Sequence, residues 1–163
     1  MMQEKLIGAM ILLAASIVFG LKKSREEQEK IRNAEALFSL VENIAEQIEY
    51  SMRPLPQILH VYECDALEKS GFLRIAGEEG VEEGWKRCRN KLVLPGREIE
   101  KIVERFCGEI GKGYRKEELE LCGLTLKRLK AEMERSRSEF ANRRKLYHTL
   151  PPLLMLSLIL ILL

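Results

Sequence analysis

Apolar residues are distributed along this chain in two different ways. From Leu6 to Leu21 and again from Leu150 to Leu163 they form nearly continuous runs without a single charge. Between those runs they are spaced. Ile31, Ala34, Leu37, Phe38, Val41, Ile44, Ala45 and Ile48 recur at three- and four-residue steps, which predicts an amphipathic helix with one apolar stripe. Ser24-x-x-Glu27 has the form of a capping box and predicts the start of that helix, and Tyr50 marks its end. Arg53-Pro54-Leu55-Pro56 interrupts the chain, and Pro56 suits the first turn of a second helix through Ile58, Leu59, Tyr62 and Leu67. Ser70-Gly71 and Gly77 to Gly80 predict turns around a short helix, followed by another from Val81 through Trp85 to Cys88. Pro95-Gly96 opens a further helix with Ile99, Ile102, Val103, Phe106 and Cys107 inward.

After a loop at Gly108, Gly111 and Gly113 comes the longest periodic segment, Lys116 to Tyr147. Its Leu119, Cys122, Leu126, Leu129, Met133 and Phe140 lie close to a heptad seam. The last third of that segment, Glu134 to Lys145, is poor in apolar residues and reads as a stalk leaving the bundle. No strand-like alternation and no internal repeat is found. The expected fold class is all-α.

The two apolar runs read as membrane anchors. A helix from Leu6 to Leu21 is ~24 Å long, short of a ~30 Å hydrocarbon core, but Lys5 and Lys22 can snorkel. A cleaved signal peptide is the rival reading, and Lys22, Lys23 and Arg25 argue against it because positive charge after an apolar run resists translocation. The second run spans ~21 Å, with Pro151 and Pro152 at its start, where missing backbone donors cost least. Arg143, Arg144 and Lys145 precede it. Basic clusters on both inner flanks place the middle in the cytoplasm and both termini outside. The expected organisation is a tail (1–5), a transmembrane helix (6–21), a cytoplasmic helical bundle (22–149) and a second transmembrane helix (150–163).

Composition agrees with this division. All 52 Lys, Arg, Asp and Glu residues fall on the 133 residues outside the two runs, so a net charge of +2 conceals greasy ends and a very polar middle. Charge within the middle is uneven. Glu63 to Glu83 carries seven acidic residues against Lys69 and Arg74, whereas Lys112 to Lys145 carries eleven basic against six acidic. Solvated helix faces explain such runs most simply. The sharper reading gives each pole a partner: anionic headgroups for the basic stalk, and a cationic protein surface for Glu78, Glu79, Glu82 and Glu83. Trp85 beside them reads as core before interface anchor. Nucleic acid is not an expected partner, because Glu dilutes the basic residues. Homo-oligomerisation is left open.

Catalytic machinery is not visible. Gly111-Lys112-Gly113 lacks both the spacing and the preceding strand of a phosphate loop. His60 and Cys64, at i and i+4, would share a helix face and supply half a metal site, with no second pair at ligand spacing. Cys64, Cys88, Cys107 and Cys122 form no C-x-x-C pair, and a cytoplasmic domain keeps them reduced. No cofactor, metal or enzymatic activity is expected.

A resemblance rests on the order of several features. Glu46-Gln47-Ile48-Glu49-Tyr50 closes the first helix, and Pro54-Leu55-Pro56-Gln57-Ile58-Leu59 follows it. Gly84-Trp85, the Gly108-to-Gly113 turn before a long charged helix, and the apolar tail come next. In this order the chain resembles the stage III sporulation protein AB family, whose first helix ends in an acidic-Ile-x-Tyr run before a Thr-Pro-Leu-Pro turn. The chain departs from that pattern at Arg53 in place of Thr, at Gly111-Lys112-Gly113-Tyr114, and at Pro151-Pro152. The resemblance implies a helical domain similar to the F-type platform domain of type II secretion and type IV pilus machines. It also implies a mother-cell membrane around the forespore, a channel complex, and two kinds of neighbour: a secretion-type ATPase (stage III sporulation protein AA) and other stage III sporulation membrane proteins. Two rivals stand beside it, a membrane-tethered helical adaptor unrelated to secretion and a metal or thiol enzyme using His60 and Cys64.

Overall fold

The computed structural model of the chain describes the backbone of residues 2–51 and 53–162, and the side chains of residues 8, 10, 14–51, 53–143, 153 and 157. Among these residues all regular structure is helical: α1 (Met2–Tyr50), α2 (Leu55–Val61), α3 (Asp65–Ser70), α4 (Phe72–Glu79), α5 (Val81–Cys88), α6 (Arg97–Glu109) and α7 (Arg115–Leu162). The chain divides into two compact units. Glu29–Ser136 forms one, and Met1–Gln28 with Arg137–Leu163 forms the other.

In the bundle unit, Glu29–Ser136, the stripe expected on α1 is the buried one. Ala34, Leu37, Val41 and Ile44 are buried, with Leu40 beside them and Phe38, Ala45 and Ile48 at the rim. The other helices close over that stripe with Leu59, Phe72, Trp85, Ile99, Phe106 and Leu129. Helix α4 is central among the short helices and packs on α2, α3 and α5, while α5 also packs on α6. A Cβ at Gly84 would lie 2.9 Å from the Ala76 Cβ and 3.1 Å from its Cα, so only glycine lets α5 approach α4 this closely. An enclosed apolar void beside Phe72 and Leu129 measures about 10 Å³, too small for any ligand.

Several element boundaries differ from expectation. Ser24 does not cap a helix: α1 continues through it from Met2, and Ser24 is buried. No Pro interrupts Leu21 to Gln28, and a capping-box sequence is equally compatible with a helix interior. Leu67 belongs to α3 instead of α2, because Tyr62 and Cys64 are extended at ψ 123° and 113°. Gly77 and Gly108 lie inside α4 and α6. Pro151 and Pro152 fall within α7 instead of opening a new helix, so α7 forgoes the hydrogen bonds their missing N–H groups would donate.

In the terminal unit the pattern of burial is different. Gly20 and Ser24 are buried, whereas Val18 and Phe19 are 64% and 69% exposed and Met10, Ile17, Leu21 and Leu153 are also exposed. Among the described residues no helix is long and apolar enough to cross a membrane. Most side chains of the two expected anchors, 6–21 and 150–163, lie outside the described residues, as do those of Arg144 and Lys145.

Candidate functional site

The end of α1 and the start of α7 are tied by one residue. Arg115 Nε donates to the Ile48 carbonyl at 3.2 Å, and its Nη2 donates to the Glu49 carbonyl. Carbonyls in the last turn of a helix have no partner within the helix and carry its negative dipole end, so a guanidinium there satisfies both needs. Arg115 therefore caps the C-terminal turn of α1, whose last residue is the exposed Tyr50.

The loop between α6 and α7 is held by the first turn of α7. Glu118 is only 6% exposed, an unusual state for a carboxylate, and it accepts hydrogen bonds from the backbone N–H groups of Gly111 and Gly113 at 2.9 and 2.7 Å. Glu117 accepts from Tyr114 N–H at 3.0 Å, the reciprocal half of a capping box. Gly111 has φ +84°, and a Cβ there would meet Leu55 Cδ2 at 3.2 Å. The Pro54-Leu55-Pro56 turn and the glycine loop, distant in sequence, thus meet at one point. Pro54 is the N-cap of α2, and Pro56 occupies its first turn, as expected.

Together these segments form an open groove of about 340 Å³ lined by Ile48, Arg53, Leu55, Ile110, Gly111, Gly113, Arg115 and Glu118. Its floor is apolar and its rim carries two exposed guanidiniums. Tyr50 and Tyr114, each the chain neighbour of a residue in the Arg115–Glu49 contact, are 80% and 84% exposed. Of Glu49, Tyr50, Pro54, Leu55 and Pro56, singled out in the sequence as a family-like turn, Leu55 lines this groove and the others do not, and Arg115 and Glu118 were not singled out. The signal for Glu118 was an acid in the first turn of a helix behind a Gly-x-Gly loop.

The acidic stretch does not form a bare negative surface. Glu79 receives both Nη atoms of Arg87, at 3.0 and 2.6 Å, and Glu83 receives Arg87 Nε at 3.2 Å. Glu82 bonds Lys86 at 2.9 Å and Lys112 at 2.8 Å, and Glu78 lies 3.6 Å from Arg74. Hydrogen bonds from Lys112 and Lys86 pull the Glu82 carboxyl down to about 2. Lys112 comes from the stretch read as the basic pole, so the two poles partly neutralise each other. Trp85 is core: it is 2% exposed, and its indole is not offered to a partner.

Helix α2 ends at Val61, so His60 and Cys64 do not share a helix face. The His60 ring lies against α4, 2.9 Å from where a Gly77 Cβ would stand. Among the described residues no group of three or more His, Cys, Asp or Glu could hold a metal ion. Burial raises the Cys88 and Cys107 thiols and pushes Cys122 up to about 12, leaving these sulfurs protonated and weakly nucleophilic at neutral pH. Of the basic residues flanking the apolar runs, Lys22, Arg25 and Arg143 are exposed, Lys23 lies 3.6 Å from Glu26, and Arg143 lies 3.5 Å from Glu139.

Comparison with known families bears on the two turns that meet at the groove. No curated protein and no solved structure matches this chain. A family model described as stage III sporulation protein AB matches residues 5–163, which takes in both turns and nearly the whole sequence. The chain belongs to the stage III sporulation protein AB family and is a sporulation protein.

Proposed function

We propose that this protein is a non-enzymatic membrane platform of a secretion-like channel complex between mother cell and forespore. Its apolar ends are lodged in the mother-cell membrane around the forespore, both termini lie outside, and the helical bundle faces the cytoplasm. There it docks a secretion-type ATPase and contacts other stage III sporulation membrane proteins. The observation that carries this reading is that α1 and α7 are each uninterrupted from the bundle unit into the terminal unit, 49 and 48 residues long. A continuous helix transmits tilt and rotation better than a loop, which suits a part that passes conformational change between an ATPase and a membrane. Exposed Val18 and Phe19 support the lipid contact, and exposed Lys22 and Arg25 support the inward orientation.

The ion-paired face of α4 and α5 is the docking surface this reading assigns to the ATPase. Reversing Glu78, Glu79, Glu82 and Glu83 to Lys is expected to reduce ATPase co-purification with the full-length protein while its far-UV spectrum is kept. Inserting a Gly-rich linker at Ser136-Arg137-Ser138 tests coupling: sporulation should fall sharply, and unchanged sporulation would remove the coupling role.

A further inference from the structure

We infer that the loop from Leu92 to Gly96, between α5 and α6, is a clasp that ties α5 to both long helices, so that a shift of α5 reaches α1 and α7 together. Its use in passing on movement from a docked ATPase rests on the platform reading above; the clasp itself does not.

Two hydrogen bonds carry the inference. Asn33 in α1 donates from Nδ2 to the Val93 carbonyl at 3.1 Å, and Ser136 in α7 donates from Oγ to the Pro95 carbonyl at 3.3 Å. Asparagine and serine are weak helix formers, because their side chains compete for nearby backbone groups. Here both side chains turn to carbonyls of one loop, 60 and 41 positions away in the chain. Their places in the helices matter as much as their partners. Ser136 is the last residue of the bundle unit, and Asn33 lies about one turn after its first, Glu29. The loop therefore holds each helix close to where it leaves the bundle unit.

The loop is stiff at both ends. The N–H groups of Lys91 and Leu92 both donate to the Cys88 carbonyl at 2.9 Å, which makes the loop a direct continuation of α5. Leu92 is 1% exposed and anchors it in the core, and Leu94 packs against the same core. The ring of Pro95 fixes φ, and Gly96, at φ +96°, takes a turn that other residues rarely adopt. A screw shift of either long helix by one residue, ~1.5 Å along and ~100° around its axis, breaks its bond to the loop. The clasp thus has two discrete arrangements, held and released, as an element that couples distant parts requires.

The test is hydrogen exchange, read by mass spectrometry, on the full-length protein in phosphatidylcholine nanodiscs. Asn33→Ala should speed exchange about fivefold in the loop and also in α7 around Ser136, and Ser136→Ala should do the same in α1 around Asn33. Alanine favours the helix it enters, so faster exchange on the opposite helix is not a loss of helix propensity. Pro95→Gly keeps both carbonyls and both side chains, and it should loosen the two helices at once. Exchange that rises only in the loop and in the substituted helix, or a Pro95→Gly effect confined to the loop, would overturn the inference. Co-purification of the secretion-type ATPase should be unchanged in the two alanine variants while sporulation falls. Normal sporulation with the clasp loosened would overturn its role in passing on movement. Failure of the unsubstituted protein to retain the ATPase would instead sink the platform reading and leave the exchange result to decide the clasp.

Discussion

Phe72 and Phe19 are the same residue in two different surroundings. Phe72 in the bundle unit has 0% of its surface exposed, and Phe19 in the terminal unit has 69%. The contrast extends to their neighbours. The bundle hides Leu40, Ile44 and Leu59, whereas the terminal unit hides Gly20 and Ser24 and exposes Val18 and Leu21. A protein folded for water buries its large apolar side chains, because each is worth roughly 1.5–3 kcal/mol when removed from water. Helices that associate in lipid gain nothing from that term and bury small residues, which let backbones approach. The membrane reading proposed above takes this difference in burial as the mark of two different solvents.

The contrast can be broken by making one change at both places. Phe72→Ala should lower unfolding free energy by about 3–5 kcal/mol, measured by denaturant titration in detergent with Trp85 fluorescence as the probe. Phe19→Ala should change it by less than about 0.5 kcal/mol, and a comparable loss at both sites would mean that Phe19 is covered by protein. Within the bundle, Gly84→Ala should cost about 1–3 kcal/mol by forcing α5 away from Ala76. Glu118→Ala leaves the Gly111 and Gly113 N–H groups without their acceptor. It should cost about 1–3 kcal/mol and speed amide exchange in that loop first. The smallest effect concerns the surface pair of Glu82 and Lys112. Glu82 is ionised more readily in the fold than its ordinary 4.5, so the pair's contribution is present above about pH 4.5 and disappears as pH falls toward 2. In Lys112→Ala the Glu82 carboxyl should move up toward 4.5 in a carbon-detected NMR titration, while the bundle remains folded.

Much of the fold was legible where local chemistry decides it. The α1 stripe from Ala34 to Ile44 follows from apolar spacing, and the break at Pro54 and Pro56 from the missing donors and fixed φ of proline. Ser24 was misread because a capping box describes which bonds a helix start can make, not whether the helix starts there. The groove was half legible. Its turns stood out as Pro and Gly clusters, but the contact between Arg115 and the end of α1 joins residues 66 positions apart, beyond any local pattern. Glu118 was hidden among interleaved charges, where one buried carboxylate looks like its exposed neighbours. The pairing within the acidic and basic poles was illegible for a related reason: net charge along the chain omits which side chains meet, and Lys112 meets Glu82.

The most direct test of the membrane account is collisional accessibility of a spin label at residue 19, in full-length protein reconstituted into liposomes, with a label at residue 124 for comparison. Leu124 is an exposed position of the bundle, 58% accessible. The label replacing Phe19 should be relaxed by dissolved oxygen and barely by a water-soluble nickel chelate, and the label replacing Leu124 should show the reverse. Equal relaxation of both labels by the chelate would contradict the account, because residue 19 would then stand in water.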